Sequence, residues 1–374
     1  MYGNGGSEIK AGSHLVIEGL GYVLPQAVMT ADDVAAASGI PVQVIREKFG
    51  LRQKHVAGPS ETVSTLAAEA GRRAMADARV GPEGIDAVIY FGSPHKDYYV
   101  WLAAPRIQAL LGLRRAFAFE VSAVSAGLPF ALETTRGLLA VRPDLRRILV
   151  VGASTESHLV DYRNHTARFM FNFGDGGAAA VVSREPGGRG PSVGERSSPG
   201  RGGATDPGGI SVRARIYAAA FRTDGRFAEF VRVPAGGALL PASHATVASG
   251  LHAFEVSDPV AMKELLDPIT VDNFVAVGRE ALRRAGFDGV DVLLPLHTKR
   301  SLFETLCKAF GVARDHAVYL DDTGHISAID PLLALARLHE SRSPLLKPGT
   351  RILMLTAGTG YNWAACAVRW EGDA

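Results

Sequence analysis

Cysteine is nearly missing from this chain. Two residues, Cys307 and Cys366, in 374 supply neither a disulfide framework nor a thiolate set for a metal, so no metal site is expected. A reducing, cytoplasmic setting follows. Long apolar runs are missing as well. None reaches the roughly 18–20 residues of a membrane span, and the first residues lack the basic-then-apolar order of a signal peptide. Charge of one sign is also missing: 40 Lys and Arg stand against 38 Asp and Glu, a net +2. That balance implies no nucleic-acid partner and no membrane partner. What the chain does have is a 47% share of hydrophobic residues, ample for one large core or two fused ones.

Those hydrophobic residues are arranged in two periods. Short apolar runs such as "DAVIYFGS", "AFAFEVSAV" and "RRILVVGAS" alternate with longer amphipathic segments. Helices are predicted over 61–79, capped by Ser60, and over 125–140. The alternation argues for an α/β fold with a mostly parallel, buried sheet. Residues 1–14 read as a disordered start, and 185–209, rich in Gly, Pro, Ser and Arg, as a linker or surface loop. Element order before and after that segment is similar. The prediction is therefore an N-terminal half over 15–184 and a C-terminal half over 210–374, related by pseudo-two-fold symmetry.

Four short stretches carry candidate chemistry. In "EVSAVSAGLPFAL", Ser125 lies where a strand gives way to a helix, a place that suits a nucleophile and equally an N-cap. His297 in "LLPLHTKR" also follows a strand and precedes a helix. "DDTGHISAIDP" holds His325 and Asp330, while "TAGTGYNWA" is a glycine-containing loop between two apolar strands.

Taken in order, these stretches resemble the ketoacyl-acyl-carrier-protein synthase III family of the thiolase superfamily. "FGDGGAAAVV" and "REKFGLRQKHV" extend the resemblance, which runs from about residue 15 to the C-terminus. It implies a thiolase fold, two αβαβα halves forming a five-layered core, in a homodimer. Ser125 falls on the family's nucleophilic cysteine, His297 on its histidine and His325 on its asparagine. Gly360 falls on an oxyanion-hole amide that acts together with the amide of Ser125.

The departures point to a changed reaction. A helix terminus does not ionise a serine hydroxyl near neutral pH as it can a thiol, so Ser125 needs a base. His297 is expected to be that base, with His325 and Asp330 as the supporting pair. Losing the asparagine amide removes a donor that steadies an enolate, whereas a second histidine adds a proton acceptor. The expectation is an acyltransferase of secondary metabolism, as in polyketide or antibiotic biosynthesis. It would work through an acyl-serine and deliver to oxygen, nitrogen or a second carrier. Two alternatives are a starter-unit condensing enzyme using malonyl-carrier protein and a non-catalytic carrier-binding partner of a ketosynthase.

No permanently bound cofactor is expected. The acyl donor is the phosphopantetheine arm of acyl carrier protein, or coenzyme A. Val44 stands near the place of a tryptophan that stacks on coenzyme A, which favours the carrier protein. The acceptor is a small molecule or is carrier-bound. Arg279, Arg283, Arg284, Lys299 and Arg300 are expected to dock the acidic carrier protein. Tyr98, Tyr99 and Trp101 are candidates for the acyl pocket, in a loop that contacts the partner subunit in the family.

Overall fold

The computed structural model describes residues 14–185 and 212–372. The expected start and nearly all of the expected linker thus lie outside the described residues. His14, placed in the expected disordered start, is described and stacks on Tyr217.

Nine strands form one sheet: β1 (Leu15–Val23), β2 (Ala87–Tyr90), β3 (Phe117–Glu120), β4 (Arg147–Ser154), β5 (Gly176–Arg184), β6 (Ala214–Thr223), β7 (Val292–Pro295), β8 (Arg351–Gly358) and β9 (Asn362–Trp370). Their spatial order is β7-β8-β9-β6-β1-β5-β4-β2-β3. The order repeats. Counting each set of strands from its own start, β3-β2-β4-β5-β1 reads third, second, fourth, fifth, first. In the later set the third strand shrinks to a single parallel bridge between Leu293 and Ala317. The order there is otherwise the same, β7-β8-β9-β6. The two sets meet where β1 pairs antiparallel with β6, Leu15 opposite Ile216.

The sheet is not mostly parallel, as the sequence pattern suggested. β2 pairs in parallel with β3 and β4, and β7 with β8, but every pairing of β1, β5, β6 and β9 is antiparallel. Continuous apolar runs such as that of β4 signal burial on both faces, and burial is compatible with either direction.

Helices cover both faces and fill the middle. α1 (Val63–Asp77) and α2 (Ala103–Leu110) pack outside the first strand set, and α4 (Asp267–Ala285) and α5 (Arg300–Phe310) outside the second. Between them α3 (Gly127–Val141) and α6 (Asp330–Glu340) touch strands of both sets, which gives five layers. α6 is buried along its first seven residues, from Asp330 to Ala336, as a helix with protein on every side must be. α1 is capped by Thr62 rather than Ser60, through a box in which the side chains of Thr62 and Thr65 exchange backbone bonds. The middle layer matters most for function, because α3 begins beside Ser125 and α6 begins at Asp330.

Candidate active site

Ser125 sits in a short 3-10 turn, Val124–Ala126, ahead of α3. Val124 has φ +46, in the left-handed region that a β-branched residue rarely enters. Such a conformation costs about 1–3 kcal/mol and persists only where its surroundings enforce it. One enforcing contact is Gly358, at the end of β8. A Cβ there would come within 2.5 Å of the Ala123 carbonyl oxygen and 2.9 Å of the Ser125 nitrogen. The glycine lets β8 press directly on the turn and keeps the Ser125 and Ala126 amides close to its Cα.

Ser125 is not the helix cap. The N-cap position of α3 is Ala126, with no side-chain bond to the helix amides. Instead the Ser125 Oγ lies 2.9 Å from Nε2 of His325. On the far side of that ring, Nδ1 lies 2.6 Å from Oδ2 of Asp330. Asp330 is fully buried at the first position of α6, where a negative charge suits the helix dipole. It also accepts backbone N–H bonds from Ile326 and from His297, each at 2.7 Å. A carboxylate held by two amides leaves His325 one sensible tautomer: Nδ1 donates to Asp330 and Nε2 accepts from the serine. Between His325 and Asp330 the chain strains again, at Ser327 with φ +51. Serine, histidine and aspartate thus form a linear relay with strained backbone at both ends.

The structure places His297 differently from His325. Its ring does not bond to Ser125, and neither of its nitrogens has a hydrogen-bond partner although both are buried. Asp330 reaches His297 only through its backbone N–H. Burial pushes the His297 ring down to about 4, with Asp330 opposing and the neighbouring His325 charge adding to the effect. His325 goes the other way. Burial opposes its charged form, but the Asp330 carboxylate and its hydrogen bond outweigh burial and raise its pKa, with Glu156 contributing. His325 is the ring that Ser125 touches, and His297 is the ring with neither nitrogen bonded.

Around the relay lie residues that sequence reasoning missed. Phe173 sets its ring edge-on to His325 at 4.9 Å and packs against Phe254 at 5.5 Å. Met262 and Tyr361 join them in an apolar wall beside the relay. Glu156 is buried and accepts from the Ser93 hydroxyl at 2.6 Å. Lys54 is buried completely and donates to the carbonyls of Phe171 and Phe173. Lys54 lies in a stretch quoted above and Glu156 just beyond one, but only long-range contacts reveal their connection to His325.

The remaining expected residues are dispersed. Tyr98 and Tyr99 are 70% and 73% exposed, and Trp101 stacks edge-on against Tyr98 at the surface. Trp101 is partly buried against the core beneath α1 and α2, while the two tyrosines stand in solvent. The expected docking residues divide into two groups. Lys299 pairs with Asp267 at the start of α4, and Arg300 lies over the Tyr319 ring. Arg283 and Arg284 both grip Glu280, about 24 Å further along the helix axis, with exposed Arg279 one turn earlier. The five residues therefore do not make one basic patch. Gly360, with φ +99, lies in the three-residue loop between β8 and β9.

Models of 3-oxoacyl-[acyl-carrier-protein] synthase III match residues 119–196, and of its C-terminal part residues 283–370. A β-ketoacyl-[acyl-carrier-protein] synthase III of Brucella canis is 30% identical over 361 residues, covering 95% of this chain and 99% of that protein. The chain belongs to the ketoacyl-acyl-carrier-protein synthase III family. The synthase III structure from Pseudomonas aeruginosa superposes with a TM-score of 0.75 at 25% identity, covering 96% of this chain and 99% of that one. A priming β-ketosynthase of a polyketide biosynthetic pathway gives 0.77 at 23% identity, covering 99% and 100%. The architecture is the thiolase fold of these synthase III structures, and the chain is a transferase-family enzyme. Among the described residues, no helix is long and apolar enough to cross a membrane.

Proposed function

We propose that the protein is an acyltransferase that carries its acyl group on Ser125. One observation supports this above all: the continuous path from Ser125 Oγ through His325 to Asp330, with bonds of 2.9 and 2.6 Å. His325 takes the hydroxyl proton as Oγ attacks the thioester carbonyl. The carbon–sulfur bond breaks, and the imidazolium returns the proton to the leaving thiol. The Ser125 amide and the Gly360 amide receive the oxyanion. In the second half, an acceptor hydroxyl, amine or thiol gives its proton to His325 and attacks the acyl-serine. The carbon–oxygen bond to Ser125 breaks, and the proton returns to Oγ.

The donor is a phosphopantetheine thioester, on acyl carrier protein or on coenzyme A. No bound cofactor takes part. The setting is cytoplasmic secondary metabolism, and the two strand sets are two halves joined by the segment at 185–209. The edge position of β3 with its exposed Phe117, and the exposed Tyr98 and Tyr99, support a homodimer. The names of the relatives favour a second reading, condensation with malonyl-carrier protein. A carrier-binding subunit without catalysis has no use for the relay. Incubation with an acyl-carrier thioester, with and without malonyl-carrier protein, tests the proposal: transfer without release of carbon dioxide supports it, and stoichiometric decarboxylation defeats it.

A further inference from the structure

Three separated chain segments meet behind His325. The short strand Gln53–His55 lies on one side, where Arg52 and Gln53 donate backbone bonds to the Asp321 carbonyl. Residues 171–175 run between. The loop 321–325 closes the other side, with His325 N–H donating to the Asn172 carbonyl and Gly174 N–H donating to the His325 carbonyl. These two backbone bonds fix where the imidazole begins. The peptides that make them are themselves fixed by a side chain. The Lys54 ammonium donates to the carbonyls of Phe171 at 2.9 Å and Phe173 at 2.6 Å, the two residues flanking Asn172. The carbonyls of 171 and 173 turn to Lys54, and that of 172 turns to His325.

Three further contacts tie Lys54 to this place. Its ammonium lies over the Tyr162 ring at 5.2 Å, so ring and carbonyls together occupy the charge. Its stem packs tightly as well. A Cβ on Gly324, which has φ +70, would come 3.3 Å from Lys54 Cβ and collide with the Asn172 carbonyl oxygen. Burial pushes the Lys54 ammonium down to about 7, opposed by the fully buried carboxylate of Asp175, itself engaged by Ala57 and Ser157. A buried ammonium is expensive to keep unless its geometry is used. Here the geometry ends on the imidazole that activates Ser125.

We propose that Lys54 is a positioning residue, whose ammonium clamps the peptides at 171–173 and thereby holds His325 within reach of Ser125. The inference rests on the acyl-serine reading, in which His325 is the base for Ser125. A catalytic group displaced by about 1 Å loses on the order of 10²-fold in rate. Replacing Lys54 with an apolar side chain of similar length removes the clamp and leaves the relay residues, the Phe173 ring and the donor surface in place.

The test is single-turnover acylation of Ser125 by an acyl thioester, measured in the full chain alongside the Nδ1 proton resonance of His325. Lys54→Met is expected to slow acylation about 10²-fold with the donor KM unchanged, and to shift or broaden that resonance. Lys54→Arg, which keeps a buried cation, is expected to recover most of the rate. A Lys54→Met protein that acylates at the wild-type rate with an unmoved resonance overturns the proposal. So does an equal loss in both variants that tracks only their thermal stability. If Lys54→Met does not fold, Tyr162→Leu decides, since it takes the ring away from the ammonium while leaving Lys54 itself in place. A several-fold slower acylation supports the clamp, and no change overturns it. A wild-type protein that never acylates Ser125 defeats the functional reading itself, a separate result.

Discussion

The turn after β7 and the loop before α6 each bring one histidine to the same carboxylate, and the two rings end in opposite states. His325 has both nitrogens bonded and a raised pKa; His297 has neither bonded and a pKa lowered to about 4. Both are more than nine-tenths buried, so burial does not distinguish them. The distinction is which atom meets Asp330. For His325 it is the ring, and for His297 it is only the backbone N–H. One aspartate therefore maintains one histidine poised to take a proton and anchors another that stays neutral. The poised ring suits the serine proton, and the neutral, unpartnered ring suits an uncharged group of the acceptor.

Substitutions that erase the contrast should have the largest effects. Ser125→Ala is expected to abolish the acyl adduct, read by intact mass. Asp330→Asn is expected to slow acylation by about 10³–10⁴-fold, because the amide can present the wrong tautomer to Ser125. His325→Ala is expected to cost about 10²–10⁴-fold in the same step, the usual loss of a positioned base. His297→Ala sharpens the comparison from the other side. Acylation should remain within a few-fold of wild type while transfer to the acceptor slows at least about 10-fold. Equal loss in both steps would place His297 back beside Ser125.

Effects of pH should separate the rings in opposite directions. Acylation requires neutral His325, so its rate should rise with pH through a value above the ordinary 6.5 of histidine. Asp330→Asn should move that limb to lower pH. Stability reports on His297. Between the unfolded value of 6.5 and the folded value of about 4, the unfolded chain binds the additional proton, so stability falls as pH falls. The loss attributable to this ring approaches about 3 kcal/mol near pH 4. Below the same 6.5, His325 contributes in the opposite sense, with stability lost only as pH rises through its raised folded value. His297→Leu should flatten the acid limb of Tm. It should also raise Tm slightly at neutral pH, since unsatisfied buried polar groups cost about 1–3 kcal/mol.

Much of this site was legible before the fold was known. The strand-to-helix break at Ser125, the strand end at His297 and the short spacing from His325 to Asp330 are local features. The assignment of the base to Ser125 was not local. It depends on Val124 entering the left-handed region, on β8 pressing Gly358 against the turn, and on three segments meeting at Lys54. No periodicity records those contacts. The sheet shows the same limit. The segment "HAVYLDD" is as apolar as the strands, yet only Ala317 bridges to β7, because the chain turns back at once to build the loop carrying His325.

The central claim is that His325, not His297, activates Ser125 for acyl transfer. Rapid-quench acylation with an acyl-carrier thioester, without acceptor and with the adduct mapped to the Ser125 peptide, addresses it most directly. The account predicts rapid adduct formation in wild type and in His297→Ala, and slow formation in His325→Ala. A fast adduct in His325→Ala together with none in His297→Ala would contradict it.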